Sequence, residues 1–216
     1  MKSTFIVSPD YRKKGKYNVY CVLDIETTGT SYKTSEITEI SIHKYRNGKR
    51  VDKYHSFVKI SRPLPPFIRI FTPHITDELL AREGKDLDVV IKEVKDFTKG
   101  SILVAHNGVT FDLLFLKAAC IKYGLKPLSN PIIDTLRLSR STFPNERYHT
   151  LGDVCRRMQV NYDEDRAHSA DYDVDVLWQV FWNFAVGLKK IGVNLEDGLQ
   201  EANEAIFNMF KKTKSS

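Results

Sequence analysis

The sequence is poor in the residues that cross-link a small domain. Its 216 residues include only three cysteines, Cys21, Cys120 and Cys155, which are far apart and form no Cys-x-x-Cys pair. This pattern excludes a disulfide framework or a zinc site of the usual spacing, and it predicts reduced, packed thiols. A chain of this length can bury a large hydrophobic core, so it needs no such cross-links.

Long apolar runs are also missing. No stretch is long enough to span a bilayer, and the first twenty residues lack an apolar run of signal-peptide length. We therefore expect a cytoplasmic protein that has no membrane partner. Internal repeats and low-complexity stretches are absent too, and 42% hydrophobic and 28% charged residues are ordinary globular values. A disordered, collagen-like or mainly coiled-coil chain is excluded.

The charge is only moderately unbalanced. There are 33 Lys and Arg against 27 Asp and Glu, a net charge of +6. This balance is compatible with a polyanionic partner but does not identify one. We divide the chain into a basic N-terminal arm (1–18), one domain (19–186) and a C-terminal extension (187–216) that we expect to be helical. The arm could be a solvated tail or a phosphate-contacting one.

Alternation and helical spacing predict one α/β domain. An Asn47-Gly48 pair between two alternating segments is a strong hairpin signal. The strands are predicted at 19–26, 36–45, 51–60, 101–105 and 131–136. The helices are predicted at 76–82, 87–97, 110–123, 150–158 and 169–186. This order indicates a mixed five-stranded sheet, a three-strand antiparallel meander followed by parallel strands, with helices on both faces.

The first candidate site is Asp24-Ile25-Glu26. Side chains alternate along a strand, so the two carboxylates share a face and repel each other unless a cation lies between them. Oxygen ligands select a hard ion such as Mg²⁺ or Mn²⁺. A strand end with solvated acids is the alternative. The Thr-Thr-Gly that follows can present backbone N–H groups in a tight turn and favours the metal site.

The second candidate site is Asp112, at the end of His106-Asn107-Gly108-Val109-Thr110-Phe111-Asp112. It lies in the first turn of a predicted helix, where the helix dipole favours a negative charge. It could be a ligand, or a helix-start carboxylate with no further role. His106 and Asn107 are expected to hold the loop.

The third candidate site combines His168 and Asp173. Positions five apart do not share a face of a continuous helix, so His168 must precede the helix if the two side chains converge. A solvated surface histidine is the alternative. The remaining acids of this stretch are expected to be solvated: Asp163, Glu164, Asp165, Asp171 and Asp175.

Together these sites resemble the three motifs of the DEDDh exonucleases, the DnaQ-like 3′→5′ exonucleases with a ribonuclease H-like fold. D-I-E-T-T-G supplies Asp24 and Glu26, H-N-G-V-T-F-D supplies Asp112, and H-S-A-D-Y-D supplies His168 and Asp173. The order and the His-x-x-x-x-Asp spacing match the family, and the resemblance extends from residue 19 to about 185. F-T-P-H-I-T-D-E-L-L, P-I-I-D-T-L-R-L-S-R and Y-H-T-L-G-D-V-C are similar to segments of the proofreading exonuclease domain of PolC-type bacterial replicative polymerases.

The resemblance implies phosphodiester hydrolysis with two divalent cations, Mg²⁺ or Mn²⁺. Asp24 would bridge both ions, Glu26 and Asp173 would complete the first site, and Asp112 would hold the second. His168 would take the proton from the attacking water.

The resemblance also implies substrate contacts at Thr27, Thr28, His74 and Phe111. The Thr27 N–H would meet the terminal 3′-hydroxyl, and His74 and Phe111 would line the slot for the last nucleotide. The implied partners are a single-stranded or frayed 3′ end of DNA and a DNA polymerase in the same chain or complex, with proofreading during replication as the role.

Two other functions stay open. The same five residues serve RNA-trimming 3′→5′ exoribonucleases, and the catalytic motifs do not distinguish the sugar. A non-catalytic nucleic-acid or polymerase-binding module could keep the fold. The presence of all five catalytic positions argues against that module.

Overall fold

The computed structural model describes residues 19–190. The predicted arm (1–18) and residues 191–216 of the predicted extension lie outside the described residues. No helix in the described part of the chain is long and apolar enough to cross a membrane. All three cysteines are buried and free, as predicted.

Five strands form one mixed sheet in the order β3-β2-β1-β4-β5. An antiparallel meander comprises β1 (Val19–Thr27), β2 (Ile37–Arg46) and β3 (Lys49–Phe57). Two short strands, β4 (Ile102–Ala105) and β5 (Ile132–Asp134), extend the sheet in parallel with β1. The predicted sheet is confirmed, and it places the carboxyl ends of β1, β4 and β5 at one edge.

The turn between β2 and β3 is the predicted Asn47-Gly48 hairpin. Both residues have positive φ, 51° and 77°, as a type I′ turn requires. A Cβ added to Gly48 would lie 3.0 Å from the Trp182 ring. Glycine therefore provides both the conformation and the close approach.

Seven helices are present in the described part of the chain. They are α1 (Ile68–Phe71), α2 (Asp77–Glu83), α3 (Leu87–Thr98), α4 (Asp112–Lys122), α5 (Thr135–Thr142), α6 (Leu151–Met158) and α7 (Ala170–Lys190). The five predicted helices are confirmed with small shifts at their ends.

The fifth strand was predicted too long. It ends at Asp134, and its last two predicted residues begin α5 instead. The Asp134 carboxylate caps this helix by accepting from the N–H groups of Leu136 and Arg137, and aspartate is a strong N-cap. The single turn of α1 was not predicted either, because four residues are too few to show helical periodicity.

Alternation along β1 separates the two larger of three hydrophobic clusters among the described residues. Val22 belongs to the core beneath α7, where it lies with Leu177 and Phe181. Leu23 belongs to the opposite core, together with Ile91 of α3 and other buried residues. Burial of each such side chain contributes about 1.5–3 kcal/mol. The cores fix the strands, and the polar ends of the strands are left to form the site.

Candidate active site

The end of β1 carries the first two carboxylates. Asp24 and Glu26 are partly buried. Leu23, which precedes Asp24, and Ile25, which lies between the two acids, enter the core on the opposite face of the sheet. The two acids therefore share a face, as alternation predicts. The pairing of β1 with β2 shifts between Glu26 and Thr27, and bulges of this kind often re-aim side chains beside active sites.

Asp112 is delivered by the loop between β4 and α4. It is 1% exposed, and its Oδ1 has no hydrogen-bond partner among the described residues. The preceding loop is held by Asp134, whose carboxylate accepts from the N–H groups of Asn107 and Val109 at 3.1 Å each. His106 also holds this loop, since its Nδ1 lies 2.9 Å from Thr135 Oγ1.

His168 and Asp173 come from the start of α7. His168 precedes the helix with a φ of +63°, and its backbone N–H donates to Asp173 Oδ2 at 3.0 Å. Asp173 is 7% exposed, and its Oδ1 has no partner in the described part of the chain. His168 therefore lies in the loop before α7, as its five-residue separation from Asp173 requires if the two side chains converge.

The three sequence-distant motifs meet at the carboxyl end of β1. A metal ion could be held by Glu26, His168 and Asp173. Each of these residues offers one ligand atom, and the three atoms lie within 4.8 Å of one another. Asp24 and Asp112 lie close enough to these acids for the negative charges to repel one another. Burial, and then repulsion by Asp112, Glu26 and Asp173, raises the pKa of Asp24 well above its ordinary value.

The other carboxyl groups of the cluster respond in the same way. Burial first, and then repulsion by Glu39 and Asp173, raises the pKa of Glu26 to about 9. Burial raises the pKa of Asp112 to about 7, although the backbone N–H groups of Asp112 and Ile25 oppose the shift. Burial raises the pKa of Asp173 to about 6. These four acids repel one another, and a divalent cation would relieve that repulsion.

The two threonines after Glu26 make different hydrogen bonds. Thr27 is 7% exposed, and its hydroxyl donates to the carbonyl of Gly29 at 2.7 Å. The backbone N–H of Thr28 donates to the Glu36 carbonyl at 2.8 Å, and its Oγ1 accepts from the Glu36 N–H at 2.9 Å. Thr28 therefore braces the loop, and its N–H is already paired.

His74 and Phe111 are held by different neighbours. Nε2 of His74 lies 3.0 Å from Glu39 Oε2, and 35% of its side chain is exposed. Phe111 directly precedes Asp112 and packs on Phe115, with ring centroids 5.0 Å apart. The ring is partly buried against the core that contains Phe115.

Sequence reasoning missed Glu39. This β2 residue pairs with Glu26 in the sheet register and is 1% exposed. Its two carboxylate oxygens bind separate imidazoles, those of His55 at 2.7 Å and His74 at 3.0 Å. Although burial opposes the change, these hydrogen bonds lower the pKa of Glu39. No local pattern in β2 distinguishes a buried glutamate from one on the solvent face.

Two of the aspartates that were expected to be solvated also contact a buried side chain, although they keep 35% and 48% of their side chains exposed. Asp171 and Asp175 both bind the ring of buried His43 on β2, each at 2.9 Å. Although burial opposes it, hydrogen bonds from Lys53, His43 and Ser41 lower the pKa of Asp171 to about 2. Asp163, Glu164 and Asp165 are exposed, as expected.

The fold and the acidic site define a nuclease-like α/β domain, and comparison with known proteins gives its family. The model of the exonuclease family RNase_T matches residues 21–181. The chain belongs to this exonuclease family.

Similar full-length proteins are bacterial polymerases. The chain is 38% identical over 175 residues to the PolC-type DNA polymerase III of Mycoplasma genitalium, which covers 81% of the chain and 12% of the polymerase. It is 35% identical over 210 residues to that of Mycoplasma pneumoniae, covering 96% of the chain and 14% of the polymerase. The chain thus spans a small part of the length of these relatives.

A solved structure with the same fold is E. coli exonuclease I in complex with a dT13 oligonucleotide. The TM-score is 0.71 at 14% identity, over 81% of this chain and 42% of that chain. The similarity confirms the ribonuclease H-like fold that the sequence motifs imply.

Proposed function

We propose that the chain is a metal-dependent 3′→5′ exonuclease domain that removes nucleoside monophosphates from a single-stranded or frayed 3′ end of DNA. We further propose that it proofreads during DNA replication, with a DNA polymerase in the same chain or complex. Family membership supports the hydrolytic activity, and similarity to PolC-type polymerases supports DNA over RNA as the substrate.

The observation that carries this proposal is the cluster of four repelling carboxyl groups. Two of them, Asp112 and Asp173, have a buried oxygen without a partner among the described residues. Buried polar atoms are nearly always paired, so such oxygens fit ligands of a hard cation. Asp24, Glu26 and Asp173 would hold one ion, and Asp24 and Asp112 the other. Two bound divalent cations supply charge that favours ionisation of the attacking water and stabilises the leaving 3′-oxygen.

His168 would act as the general base. Its position before α7 leaves the ring exposed beside Glu26 and Asp173, where it would face the attacking water. A base must be within hydrogen-bond reach of the proton that it removes. The bond from its backbone N–H to Asp173 ties this residue to the cluster.

Substrate binding would use the groups around the carboxylates. The Thr27 N–H would bind the terminal 3′-hydroxyl, and Phe111 and His74 would line the slot for the last nucleotide. Thr28 would contribute by bracing this loop. An unpaired 3′ end suits the slot, because free bases can stack on aromatic side chains.

The test is hydrolysis of a 5′-labelled single-stranded DNA oligonucleotide and its RNA twin with Mg²⁺, with Mn²⁺ and with EDTA. We expect a ladder of 3′-shortened DNA that disappears in EDTA and in Asp24→Ala. Glu164→Ala, which removes an exposed acid near the third motif, is the matched control and should keep full activity. Faster shortening of RNA would overturn the DNA assignment, and no shortening of either strand would favour a binding module.

A further inference from the structure

A buried histidine joins the first turns of α7 to the sheet. The side chain of His43 on β2 is 0% exposed. Its Nε2 lies 2.9 Å from Asp171 Oδ1, and its Nδ1 lies 2.9 Å from Asp175 Oδ1. Each ring nitrogen therefore faces a carboxylate oxygen of α7. The two aspartates are four residues apart, and the ring therefore spans one turn of the helix.

Other groups from the sheet reinforce this contact. Ser41 Oγ donates to Asp171 at 3.1 Å, and Lys53 Nζ lies 2.7 Å from the same carboxylate. Arg50 Nη1 donates to Asp175 at 3.0 Å and lies 3.4 Å from Nδ1 of the histidine. Lys53 and Arg50 are 44% and 47% exposed, and exposed ion pairs contribute little. Of the two aspartates, Ser41 and Lys53 contact only Asp171, and Arg50 contacts only Asp175, whereas the buried imidazole contacts both carboxylates.

The same turn of α7 carries a proposed metal ligand. A residue advances about 100° around a helix, so Asp173 points roughly opposite to Asp171 and Asp175. The two outer aspartates bind the sheet, and Asp173 faces the acidic cluster. Rotation of α7 by about 20° would move a carboxylate that lies ~6 Å from the helix axis by ~2 Å. Metal ligation tolerates distance changes of only about 0.2 Å.

We infer that His43 is a positioning residue for the exonuclease reaction. By binding Asp171 and Asp175 it sets the rotation of α7 and thereby aims Asp173 at Asp24 and Glu26. This inference rests on the proposed function for its catalytic consequence, but its effect on the metal site can be measured without nucleic acid.

The experiment compares three substitutions of the histidine. His43→Leu removes both hydrogen bonds. His43→Gln keeps an amide donor near the place of Nε2, and His43→Asn keeps one near the place of Nδ1. Thr38→Val is the matched control, because Thr38 lies on the same strand, is 0% exposed and has an Oγ1 without a partner among the described residues. Mn²⁺ binding is measured by calorimetry without DNA, and kcat and KM are measured on single-stranded DNA well below the melting temperature.

We expect His43→Leu to weaken Mn²⁺ binding and lower kcat by about tenfold or more, as loss of a group that orients a ligand does. KM for DNA should stay within twofold, and His43→Gln or His43→Asn should recover part of the loss. Thr38→Val should match the wild type in both measurements.

Unchanged Mn²⁺ affinity and kcat in a folded His43→Leu variant would overturn the inference, even if its melting temperature falls. If that variant does not fold, wild-type values in both His43→Gln and His43→Asn would overturn it equally. A wild-type protein that binds Mn²⁺ but does not shorten DNA would contradict the proposed function alone, since the Mn²⁺ affinities would still test the position of Asp173.

Discussion

At the head of α4, Asp112 combines deep burial with an oxygen that has no partner among the described residues. Burial raises its pKa to about 7, so at pH 8 the folded protein holds a charge there that the site disfavours. Such a residue is retained at the expense of stability, which is typical of functional sites. At Asp112, activity and stability therefore conflict.

We predict that Asp112→Asn stabilises the metal-free protein and inactivates it. Removal of one repelling charge should raise the melting temperature at pH 8 in EDTA by about 3–8 °C, or roughly 1–3 kcal/mol for a domain of this size. Exonuclease activity should fall by at least about a hundredfold. Thermal unfolding with and without Mn²⁺ checks both effects, and a lower melting temperature in EDTA would contradict the electrostatic explanation.

His74 offers a second prediction at the residue scale. Its bond to Glu39 orients the ring, and about a third of the side chain is open to a ligand. We expect His74→Ala to raise KM for a single-stranded DNA oligonucleotide several-fold with a smaller change in kcat, because uniform binding affects KM. His55→Ala removes the other imidazole on Glu39 and is the comparison. An equal rise in KM for both variants would show that the charge of Glu39, and not contact with His74, controls binding.

At the scale of elements, the ends of strands and helices are where the site is assembled. The sequence predicted the strands, their meander and five of the seven described helices, because alternation, the Asn-Gly turn and helical spacing are local properties. It also predicted that His168 precedes α7. It did not predict where β5 ends, since Asp134 can continue a strand or cap a helix and only the tertiary contacts decide.

Asp134 links two of these elements. Its carboxylate accepts from N–H groups of the loop before α4 and from the first N–H groups of α5. Asp134→Ala would remove the shared acceptor of these partly buried donors, so we predict a loss of stability of about 3 kcal/mol or more. The displaced loop should also weaken Mn²⁺ binding through Asp112.

Thr150→Ala is the control for this prediction. Thr150 and Asp153 form a capping box at the start of α6, and its loss should lower stability by about 1 kcal/mol. Because this helix start holds none of the proposed ligands, Mn²⁺ affinity should not change. Urea unfolding and calorimetry on both variants separate the two effects, and equal Mn²⁺ affinities would refute the positioning role of Asp134.

At the scale of the whole molecule, the fold collects residues that the sequence keeps far apart. The three motifs were visible because their spacing is local and resembles a known pattern. The contacts of Glu39 with two histidines, and of His43 with two aspartates, join strands to segments up to 132 residues away. Contacts of this kind leave no periodic signal in one sequence, so the supporting residues of the site could not be predicted.

The stability of the whole domain should fall as pH rises when no metal is bound. The folded protein keeps protons on Asp112 and Glu26, with pKa values of about 7 and 9, whereas the unfolded chain releases them near pH 4. Between about pH 4 and these pKa values, the folded state therefore binds more protons than the unfolded state. For each additional proton bound, the free energy of unfolding falls by up to about 1.4 kcal/mol for every unit that the pH rises. His106, whose pKa is lowered by burial, opposes this trend only below about pH 6.5.

We predict that the melting temperature in EDTA falls by about 5 °C between pH 6.5 and 8. Millimolar Mg²⁺ should raise the melting temperature more at pH 8 than at pH 6.5, because cations and protons compete for the same carboxylates. Thermal unfolding across this range is the measurement, and a melting temperature in EDTA that rises with pH would mean that these carboxyl groups do not repel one another in the folded protein.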